Sequence, residues 1–378
     1  MERKIIMTTV LLLTLLLLLS ACAPVPPSES PSSLSEDSSS SAPSEQKTPK
    51  IGISFPTQSL PRWENDGNQL KEKLEAAGCK VELQFGGDSD MTVQLHQIET
   101  MISNGCAVLI IADATQGLSE ILKDAKEKEI PIISYEYQLM NTDAGSYHVA
   151  FDYTKVGAVQ GRYIADQLDL ENQEGPFYIE LFAGELDDED SPLFWTGAME
   201  VLQPYIDSGK LAVKSGQTNF QKCTTISWST EHAQVRMENL TASQGYAPNA
   251  TKLDSVLSPN DSLAVGITNA LLNAGYTADN FPVLTGRDCD VQGVQNIKDG
   301  IQSMSVFTNT NELVERTVKM VTSLVNGEEP EVNDRKTYDN GFGPVPSFLV
   351  APTTIVTKDN YKEVLIDSGY YQEWELME

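Results

Sequence analysis

Histidine, cysteine and basic residues are scarce in this chain of 378 residues. It has three histidines, five cysteines and 26 Lys plus Arg against 54 Asp plus Glu, which gives a formal net charge of −28. A nucleic-acid-binding protein needs a concentrated basic surface, and anionic headgroups repel a strongly negative protein. The composition therefore argues against nucleic acid as a partner. The length predicts about two domains, each able to bury its own core.

None of the three histidines lies at the end of a predicted strand, where a catalytic histidine is expected. His96, His148 and His232 fall within a predicted helix, a predicted strand and a predicted helix start, whereas nucleophilic catalysis needs a histidine at a strand end. Residues 54–57, after the first predicted strand, lack the glycine pattern of a phosphate-binding loop. We therefore predict a protein that is not an enzyme, with no catalytic residue and no cofactor.

The cysteines of the folded region show no metal-site pattern. Cys79, Cys106, Cys223 and Cys289 are scattered and include no CxxC pair. A folded region of this length does not need disulfides for stability. We predict buried free thiols, and the spacing alone does not establish any pairing.

The N-terminal residues have the pattern of an export signal. Arg3 and Lys4 precede an apolar run over residues 5–19, which is shorter than the ~20 residues that span a bilayer. We therefore predict a signal peptide over residues 1–21 and an extracytoplasmic location for the rest of the chain.

The residues around Cys22 resemble a bacterial lipobox. The sequence Leu-Ser-Ala-Cys at 19–22 implies cleavage before Cys22, which then carries acyl chains such as palmitate and holds the protein to the membrane. A plain signal peptide with an incidental cysteine is the alternative. Residues 22–49 are rich in Ser and Pro and poor in large apolar side chains, which predicts a disordered, lipid-anchored tether.

From Lys50 onward, short β-branched runs alternate with amphipathic segments. Near-continuous apolar strands joined through helices imply parallel sheets covered on both faces. About ten strands are too many for one doubly wound domain, so we predict an α/β fold with two doubly wound parallel-sheet lobes. The predicted strands are 50–55, 80–85, 108–112, 130–135, 147–151, 177–183, 211–214, 253–258, 281–285 and 303–307, with an irregular tail after residue 326.

Carboxylates, amides and aromatic residues follow the predicted strands. Open parallel sheets bind ligands beyond the carboxyl ends of their strands. This set of side chains suits a neutral polyhydroxylated ligand such as a sugar, since each hydroxyl pairs with an acceptor and a donor while C–H faces lie on aromatic rings. Helix capping is the alternative role for Asp261 and Asp288. The strand-end residues are 55–63, Asp113, Glu136, Asp152, 184–194, 260–261 and 287–288.

Five of the six residues at 185–190 are acidic. Calcium takes about six to eight oxygen ligands, usually at alternating positions and with a glycine in the turn. The run lacks both features. A solvated acidic loop is the favoured interpretation over a calcium site, and we predict no metal.

Several motifs extend through most of the folded segment. They are Arg62-Trp63 with Asp66-Gly67-Asn68, Gln97-Ile98-Glu99, residues 175–184, 197–207 and 233–240, Ser258-Pro259 with Asp261, Thr285-Gly286 with Asp288, and residues 331–341. On these residues the segment from Lys50 onward resembles the type I periplasmic binding proteins. Within that family it resembles the multiple-sugar-binding proteins of the ChvE kind, relatives of xylose- and arabinose-binding proteins that serve ABC importers.

The resemblance implies two lobes that close on a ligand by hinge motion. The expected division is an N-terminal lobe of 50–152 plus 289–337 and a C-terminal lobe of 153–288 plus 338–378. The expected hinge has three crossovers, near Asp152, near Asp288 and near Tyr338.

The resemblance also implies a function. It implies a monomeric, lipid-anchored substrate-binding protein that captures a monosaccharide or related polyhydroxylated ligand and delivers it to the permease and ATPase subunits of an ABC importer. A sensor that feeds a membrane receptor is one alternative. A glycoside-processing enzyme that uses two carboxylates, such as Glu136 and Asp261, is a less favoured one.

Some binding-site residues follow from the resemblance position by position. Arg62 matches an arginine that bonds sugar hydroxyls, Trp63 matches a stacking aromatic residue, and Phe194 matches a second one. Trp195 either adds to that aromatic wall or packs in the core. The matching acceptors are Asp152, Asp261 and Asp288.

At other positions the sequence departs from the family pattern. The departures are Asp113 with Thr115-Gln116, Glu136-Tyr137, Tyr153, Glu189 with Asp190, Ser229 and Thr308. These changes remove hydrogen-bond donors and add aromatic surface and acceptors. Our hypothesis is a ligand other than a standard aldopyranose: a different sugar, a glycoside, a polyol or an amine-bearing relative. The alternative is that neighbouring groups compensate and the ligand is the same.

Overall fold

The computed structural model of the chain describes residues 48–58, 61–87, 91–113, 117–352 and 354–376. The predicted signal at 1–21, the predicted lipid attachment at Cys22 and the predicted tether up to residue 47 lie outside this part. Within the described residues, no helix is both long enough and apolar enough to cross a membrane.

Strands and helices alternate along the folded chain. The first group is β1 (Lys50–Phe55), α1 (Pro61–Ala76), β2 (Lys80–Phe85), α2 (Met91–Ser103), β3 (Val108–Ile111), α3 (Ser119–Glu127), β4 (Ile132–Tyr135) and β5 (Tyr147–Phe151). The second is α4 (Tyr153–Gln167), β6 (Phe177–Leu181), α5 (Ser191–Asp207), β7 (Leu211–Ala212), α6 (Phe220–Cys223), α7 (Thr230–Gln244), β8 (Ser255–Leu257), α8 (Asp261–Asn273) and β9 (Val283–Leu284). The third is α9 (Val291–Asp299), β10 (Ser305–Phe307), α10 (Thr310–Val325), β11 (Ser347–Val350) and β12 (Thr354–Val356).

Two parallel sheets organise these elements. The first has six strands in the order β11-β5-β4-β3-β1-β2, and the second has four in the order β7-β6-β8-β9. Strands β3 and β4 are buried along their whole length, as expected of central strands with helices on both faces. A short antiparallel pair, β10 with β12, adjoins the second sheet through a bridge between Arg287 and Val306. The predicted α/β fold with two parallel-sheet lobes is confirmed.

The chain passes between the lobes three times. It leaves the first sheet after β5, at Asp152, and enters α4. It returns between β10 and α10, since α10 packs on α1, and it leaves again between β11 and β12. The expected crossovers near Asp288 and near Tyr338 differ from this path, because Arg287 bridges to Val306 in β10 and β11 pairs with β5.

Strand pairing also corrects the predicted lobe boundaries. Within 289–337, α9 packs on α8 and β10 bridges to Arg287, so both lie with the second sheet. Within 338–378, β11 pairs in parallel with β5 as an edge strand of the first sheet. The segment after residue 326 is therefore not simply an irregular tail. These strands have only three or four residues, and their partners are distant in sequence.

Two glycines set the contact between α4 and α5. A Cβ atom at Gly157 would lie 2.0 Å from the carbonyl oxygen of Phe194, and one at Gly197 would lie 1.8 Å from that of Thr154. The two helix backbones therefore touch in a way that no larger residue permits. This contact brings the Tyr153 and Phe194 rings to 4.7 Å between centroids.

The four cysteines of the folded region are free, as predicted. Cys106, Cys223 and Cys289 are buried and Cys79 is partly buried. Burial raises the pKa of the Cys106 and Cys223 thiols to about 11, so these groups remain uncharged thiols at neutral pH.

His148 is a buried neutral base in β5. Its side chain is fully buried, with Nδ1 2.8 Å from the Ser134 hydroxyl and the ring 4.5 Å from that of Tyr338. Nε2 has no hydrogen-bond partner among the described residues. Burial lowers the pKa of His148 to about 4, from a usual value of about 6.5.

The stability that depends on His148 should fall in mild acid. Because the unfolded chain binds a proton near pH 6.5 and the folded protein does not, this stability is present above that pH and is lost as the pH falls toward 4. Between about pH 7 and pH 5 we expect a loss of about 2 kcal/mol in the free energy of unfolding. Urea titrations at several pH values measure this loss as the difference between wild type and His148→Phe in the pH dependence of the free energy of unfolding. The exposed His232 gives the control, His232→Gln, and equal pH dependence in all three proteins would contradict the assignment.

Candidate functional site

An arginine–glutamate pair forms one side of the cleft. Arg62 lies in the first turn of α1, and Glu136 follows β4 with a backbone φ of +62°, a strained conformation for a residue with a side chain. The Arg62 guanidinium donates to both Glu136 oxygens, one bond being 3.0 Å, and Tyr153 donates to Oε1 at 2.7 Å. Burial alone would raise the pKa of Glu136, but Arg62 lowers it overall. Glu136 is therefore a charged, fixed acceptor.

Trp63 lies mainly in the core beneath this pair. Its side chain is 2% exposed and packs against Phe55 and Tyr135, with ring centroids 5.3 and 6.4 Å away. The Arg62 guanidinium carbon lies 4.9 Å from the Trp63 ring centroid. Tyr137 lies 5.5 Å from the same ring and is 43% exposed. In this arrangement Tyr137, and not Trp63, presents aromatic surface to solvent.

A second guanidinium lies on the other side of the cleft. The Arg287 guanidinium carbon is 4.7 Å from the Phe194 ring centroid and 5.6 Å from that of Tyr153. Its Nε lies 3.2 Å from Asp288 Oδ1, and the Arg287 side chain is only 12% exposed. Phe194 is in the first turn of α5. Phe194 itself is only 3% exposed, so the second lobe presents a cationic group backed by a buried aromatic ring.

Sequence reasoning missed Arg287 as a donor. The residue was among the strand-end positions, directly after Thr285-Gly286, but the resemblance directed attention to the acceptor Asp288. The structure places the Arg287 guanidinium beside Phe194 and Tyr153, so Arg287 is a cationic group that the comparison of departures left out. Thr308 donates to Asp288 at 3.3 Å.

The acidic loop before α5 is internally ordered. Asp188 accepts hydrogen bonds from the backbone N–H groups of Asp190 at 2.7 Å and Ser191 at 3.1 Å, and from Trp228 Nε1 at 3.0 Å. Asp190 Oδ1 lies 3.4 Å from the Tyr338 hydroxyl. Asp188 is therefore the residue that caps the helix.

The same loop carries carboxyl groups that resist ionisation. Burial, then Asp188, raises the pKa of Glu189 to about 7, and burial with Asp188 and Glu136 raises the pKa of Asp190 well above its usual value. In the described part of the chain, no group of three His, Cys, Asp or Glu side chains is arranged to hold a metal ion.

Three other predicted site residues have local partners. Asp152 caps α4 through the Lys155 N–H at 3.0 Å and pairs with the Lys155 ammonium at 2.9 Å. Trp195 packs against Phe220, with centroids 6.1 Å apart. Asp113 follows β3 and is 7% exposed. Of the adjacent aromatics, Phe194 contacts the cleft arginine and Trp195 contacts the core.

Asp261 lies beneath the cleft instead of facing it. It is fully buried. Its oxygens accept hydrogen bonds from Gln302 Nε2 at 2.7 Å, Ser305 Oγ at 2.9 Å and the Asp290 N–H at 3.0 Å. Its own N–H donates to the Arg287 carbonyl at 3.0 Å. Burial and the charge of Asp290 raise the pKa of Asp261. The hydrogen bonds of Asp261 hold the loop that carries Arg287 in place.

Comparison with known proteins identifies the class of the chain. A family profile described as a periplasmic binding protein domain matches residues 51–329. The chain belongs to the periplasmic binding protein family. It is 44% identical over 326 residues to the multiple sugar-binding periplasmic receptor ChvE of Rhizobium radiobacter, which covers 85% of this chain and 90% of the relative. The resemblance predicted from the sequence motifs is confirmed.

Two further relatives extend the comparison. This periplasmic binding protein is 33% identical over 332 residues to the D-xylose-binding periplasmic protein of Escherichia coli K12, covering 87% of this chain and 93% of the relative. It is 47% identical, with a TM-score of 0.77, to a solved ABC transporter solute binding protein from Clostridium phytofermentans with bound β-D-glucose. That match covers 86% of this chain and 99% of the other.

The structure does not favour Glu136 and Asp261 as the carboxylate pair of a glycoside-processing enzyme. A glycosidase needs two carboxyl groups that both reach the bond to be cleaved. Glu136 is already bonded to Arg62 and Tyr153, and Asp261 is fully buried with both oxygens bonded. The relatives reported above are named as binding proteins or receptors.

Removing the Asp261 carboxylate should destabilise the protein. Asp261→Ala leaves the buried Gln302 and Ser305 donors without their acceptor. At about 1–3 kcal/mol for each, we expect the free energy of unfolding to fall by about 2 kcal/mol or more. Urea denaturation measures this. Asp261→Asn is the matched control and should cost less, because the unpartnered Gln302 Oε1 can accept from the new amide. A variant that loses affinity but no stability would instead make Asp261 a ligand acceptor.

Proposed function

We propose that this periplasmic binding protein captures a monosaccharide between its lobes by hinge closure. The observation that carries the proposal is the arrangement of two guanidinium–aromatic units across one cleft. Arg62 and Glu136 belong to the first lobe, and Arg287 and Phe194 belong to the second. A ligand can favour closure only through contacts that it makes better in the closed state, and groups on both lobes meet that requirement.

The chemistry of these groups suits a neutral sugar. Guanidinium N–H groups donate to hydroxyl and ring oxygens, and Glu136 accepts from hydroxyl groups through whatever lone pairs Arg62 leaves open. The Phe194 ring is 3% exposed and lies behind the Arg287 guanidinium, with 4.7 Å between the ring centroid and the guanidinium carbon. The Tyr137 ring, 43% exposed, offers an apolar face for C–H groups. An apolar molecule would offer no acceptor to the guanidinium N–H groups that remain beyond the Glu136 and Asp288 contacts, which is costly in a closed site.

D-Glucose is the first ligand to test. The solved neighbour with bound β-D-glucose is 47% identical to this chain. Because Arg287 places a cationic donor beside Phe194, we favour compensation by neighbouring groups over a non-standard ligand. Tyr137 and Tyr153, where the family pattern differs, are then determinants of preference among sugars.

We propose further that the protein is extracytoplasmic, anchored through acyl chains on Cys22, and delivers its ligand to an ABC permease with its ATPase. The lipobox-like residues at 19–22 support the anchor. Two relatives, a periplasmic receptor and an ABC transporter solute binding protein, support the location and the partner. Delivery to a membrane receptor is the alternative.

Calorimetric titration of the purified protein tests the binding proposal. D-Glucose, D-galactose, D-xylose and myo-inositol form the panel, and at least one should bind with a Kd below about 1 μM, or about −8 kcal/mol. Mass spectrometry of the ligand that co-purifies with the protein provides an independent identification. The proposal fails if no member binds and no small polyhydroxylated molecule co-purifies.

A further inference from the structure

Asp190 faces the cleft without serving the helix that it precedes. It stands just before α5, yet its side chain makes no capping hydrogen bond. Asp188 takes that role through the N–H groups of Asp190 and Ser191. The Asp190 side chain is partly exposed, and its Oδ1 lies 3.4 Å from the hydroxyl of Tyr338. Because Oδ1 accepts from Tyr338, Oδ2 is the oxygen that we assign to a ligand in the cleft.

The charged groups around Asp190 are mainly negative. Its own loop contributes Asp188 and Glu189, the first lobe contributes Glu136, and the loop after β9 contributes Arg287. The other titratable neighbours are the phenols Tyr137, Tyr153 and Tyr338.

The cations near the cleft already have carboxylate partners. Arg62 binds both oxygens of Glu136 and lies 3.7 Å from Asp66. Arg287 pairs with Asp288 at 3.2 Å. No Lys or Arg among the described residues forms an ion pair with Asp190. An ionised Asp190 would therefore add a negative charge to a site where carboxylates outnumber guanidinium groups.

A neutral carboxyl group differs chemically from a carboxylate in this position. A carboxylate only accepts hydrogen bonds, whereas a carboxylic acid donates one and accepts others. A sugar hydroxyl that points at Asp190 can then accept from it, which a carboxylate does not allow. Burial and the charges of Asp188 and Glu136 raise the pKa of Asp190, in agreement with the geometry.

We propose that Asp190 engages the ligand as a neutral carboxylic acid, so that ligand capture by this cleft is linked to one proton. The inference rests on the proposed function, because it concerns the same site. It makes the cleft a better binder at pH values below the pKa of Asp190 than at pH values above it. Affinity is present while Asp190 is protonated and is lost as the pH rises through its pKa.

Titration calorimetry with D-glucose over about pH 5 to pH 9.5 tests the link. In the wild type, Kd should be constant at low pH and rise about tenfold per pH unit above the pKa of Asp190. Asp190→Asn carries a permanent donor and should show no such rise, so that at the alkaline end it binds about tenfold or more tightly than the wild type.

Two variants separate Asp190 from its neighbours on the same loop. Asp187→Asn removes one charge at an exposed position and should keep the wild-type pH dependence. Glu189→Gln removes the other raised carboxyl group and should keep the tenfold rise per pH unit, beginning at a lower pH because Asp190 loses one negative neighbour. A flat Glu189→Gln profile, or an Asp190→Asn profile like the wild type, would overturn the assignment to Asp190.

The wild type alone provides a second measurement that needs no variant to fold. Above the pKa of Asp190, the binding enthalpy should vary with the ionisation enthalpy of the buffer and correspond to uptake of about one proton. Tight binding with a flat profile and no proton uptake overturns this inference and leaves the proposed function standing. Absence of binding by every sugar at every pH contradicts both.

Discussion

Replacing Arg287 with alanine is expected to raise the Kd for D-glucose by about 100-fold or more. The change removes the donor that the second lobe holds over Phe194 and Tyr153, and it leaves Asp288 without its ion-pair partner. Truncating one member of a buried charge pair costs about 2–5 kcal/mol in comparable interfaces, and about 2.7 kcal/mol corresponds to the expected change in Kd. Titration calorimetry at fixed pH measures it.

Arg335→Ala is the matched control for this substitution. Arg335 is 56% exposed, and its guanidinium contacts Glu329 on the surface, so removing it changes the net charge equally without touching the cleft. We expect its Kd to stay within about twofold of the wild type, since exposed ion pairs contribute little. If Arg287→Ala binds D-glucose as tightly as Arg335→Ala does, Arg287 is not part of the site.

Trp63→Ala should lower the free energy of unfolding by about 3–5 kcal/mol, the usual cost of deleting a buried indole. The side chain is 2% exposed and packs on Phe55 and Tyr135 in the core of the first lobe. A tryptophan that only stacked on ligand would lose affinity on truncation and keep its stability. Urea denaturation with calorimetry on the folded variant therefore distinguishes the two roles.

Trp63→Phe provides the comparison for that experiment. It keeps an aromatic ring against Phe55 and removes only part of the buried volume, so its loss of stability should be less than half that of Trp63→Ala. If Trp63→Ala unfolds at the same urea concentration as the wild type, the indole is not a core residue in solution.

Local hydrophobic patterns predicted the elements well. The predicted strands 50–55, 80–85 and 147–151 match β1, β2 and β5 residue for residue, because a buried parallel strand is a continuous apolar run between helices. The pattern did not predict partners. Strands β10, β11 and β12 are three or four residues long, and their lobe depends on hydrogen bonds to strands far away in the sequence.

Part of the candidate site could be predicted from position. Arg62 and Glu136 were candidates because they follow strands at the carboxyl edge of the first sheet, where such residues converge, and Arg62 also matched the family motif. Asp261 also follows a strand, but the sequence does not reveal that Gly286 and Gly293 leave room for its carboxylate below the cleft. A Cβ atom on either glycine would lie within 2.4 Å of it.

The orientation of the Arg287 side chain could not be predicted from the sequence. Its orientation depends on the rings of Tyr153 and Phe194, which belong to two helices that are far from it in the sequence. No local pattern reports such a stack. Its place after β9 was the available signal.

The backbone contact between α4 and α5 has a consequence for binding entropy. With Gly157 and Gly197 against the facing backbone, the Tyr153 and Phe194 rings are carried by one stiff pair of helices, and Tyr153 is further fixed by Glu136 at 2.7 Å. Ordering a rotamer-rich side chain on binding costs about 0.5–1.5 kcal/mol. The Tyr153 and Phe194 rings are already ordered before binding, so a ligand that fits them loses little affinity to this entropy cost. A ligand of another shape would bind more weakly, because these rings do not rearrange.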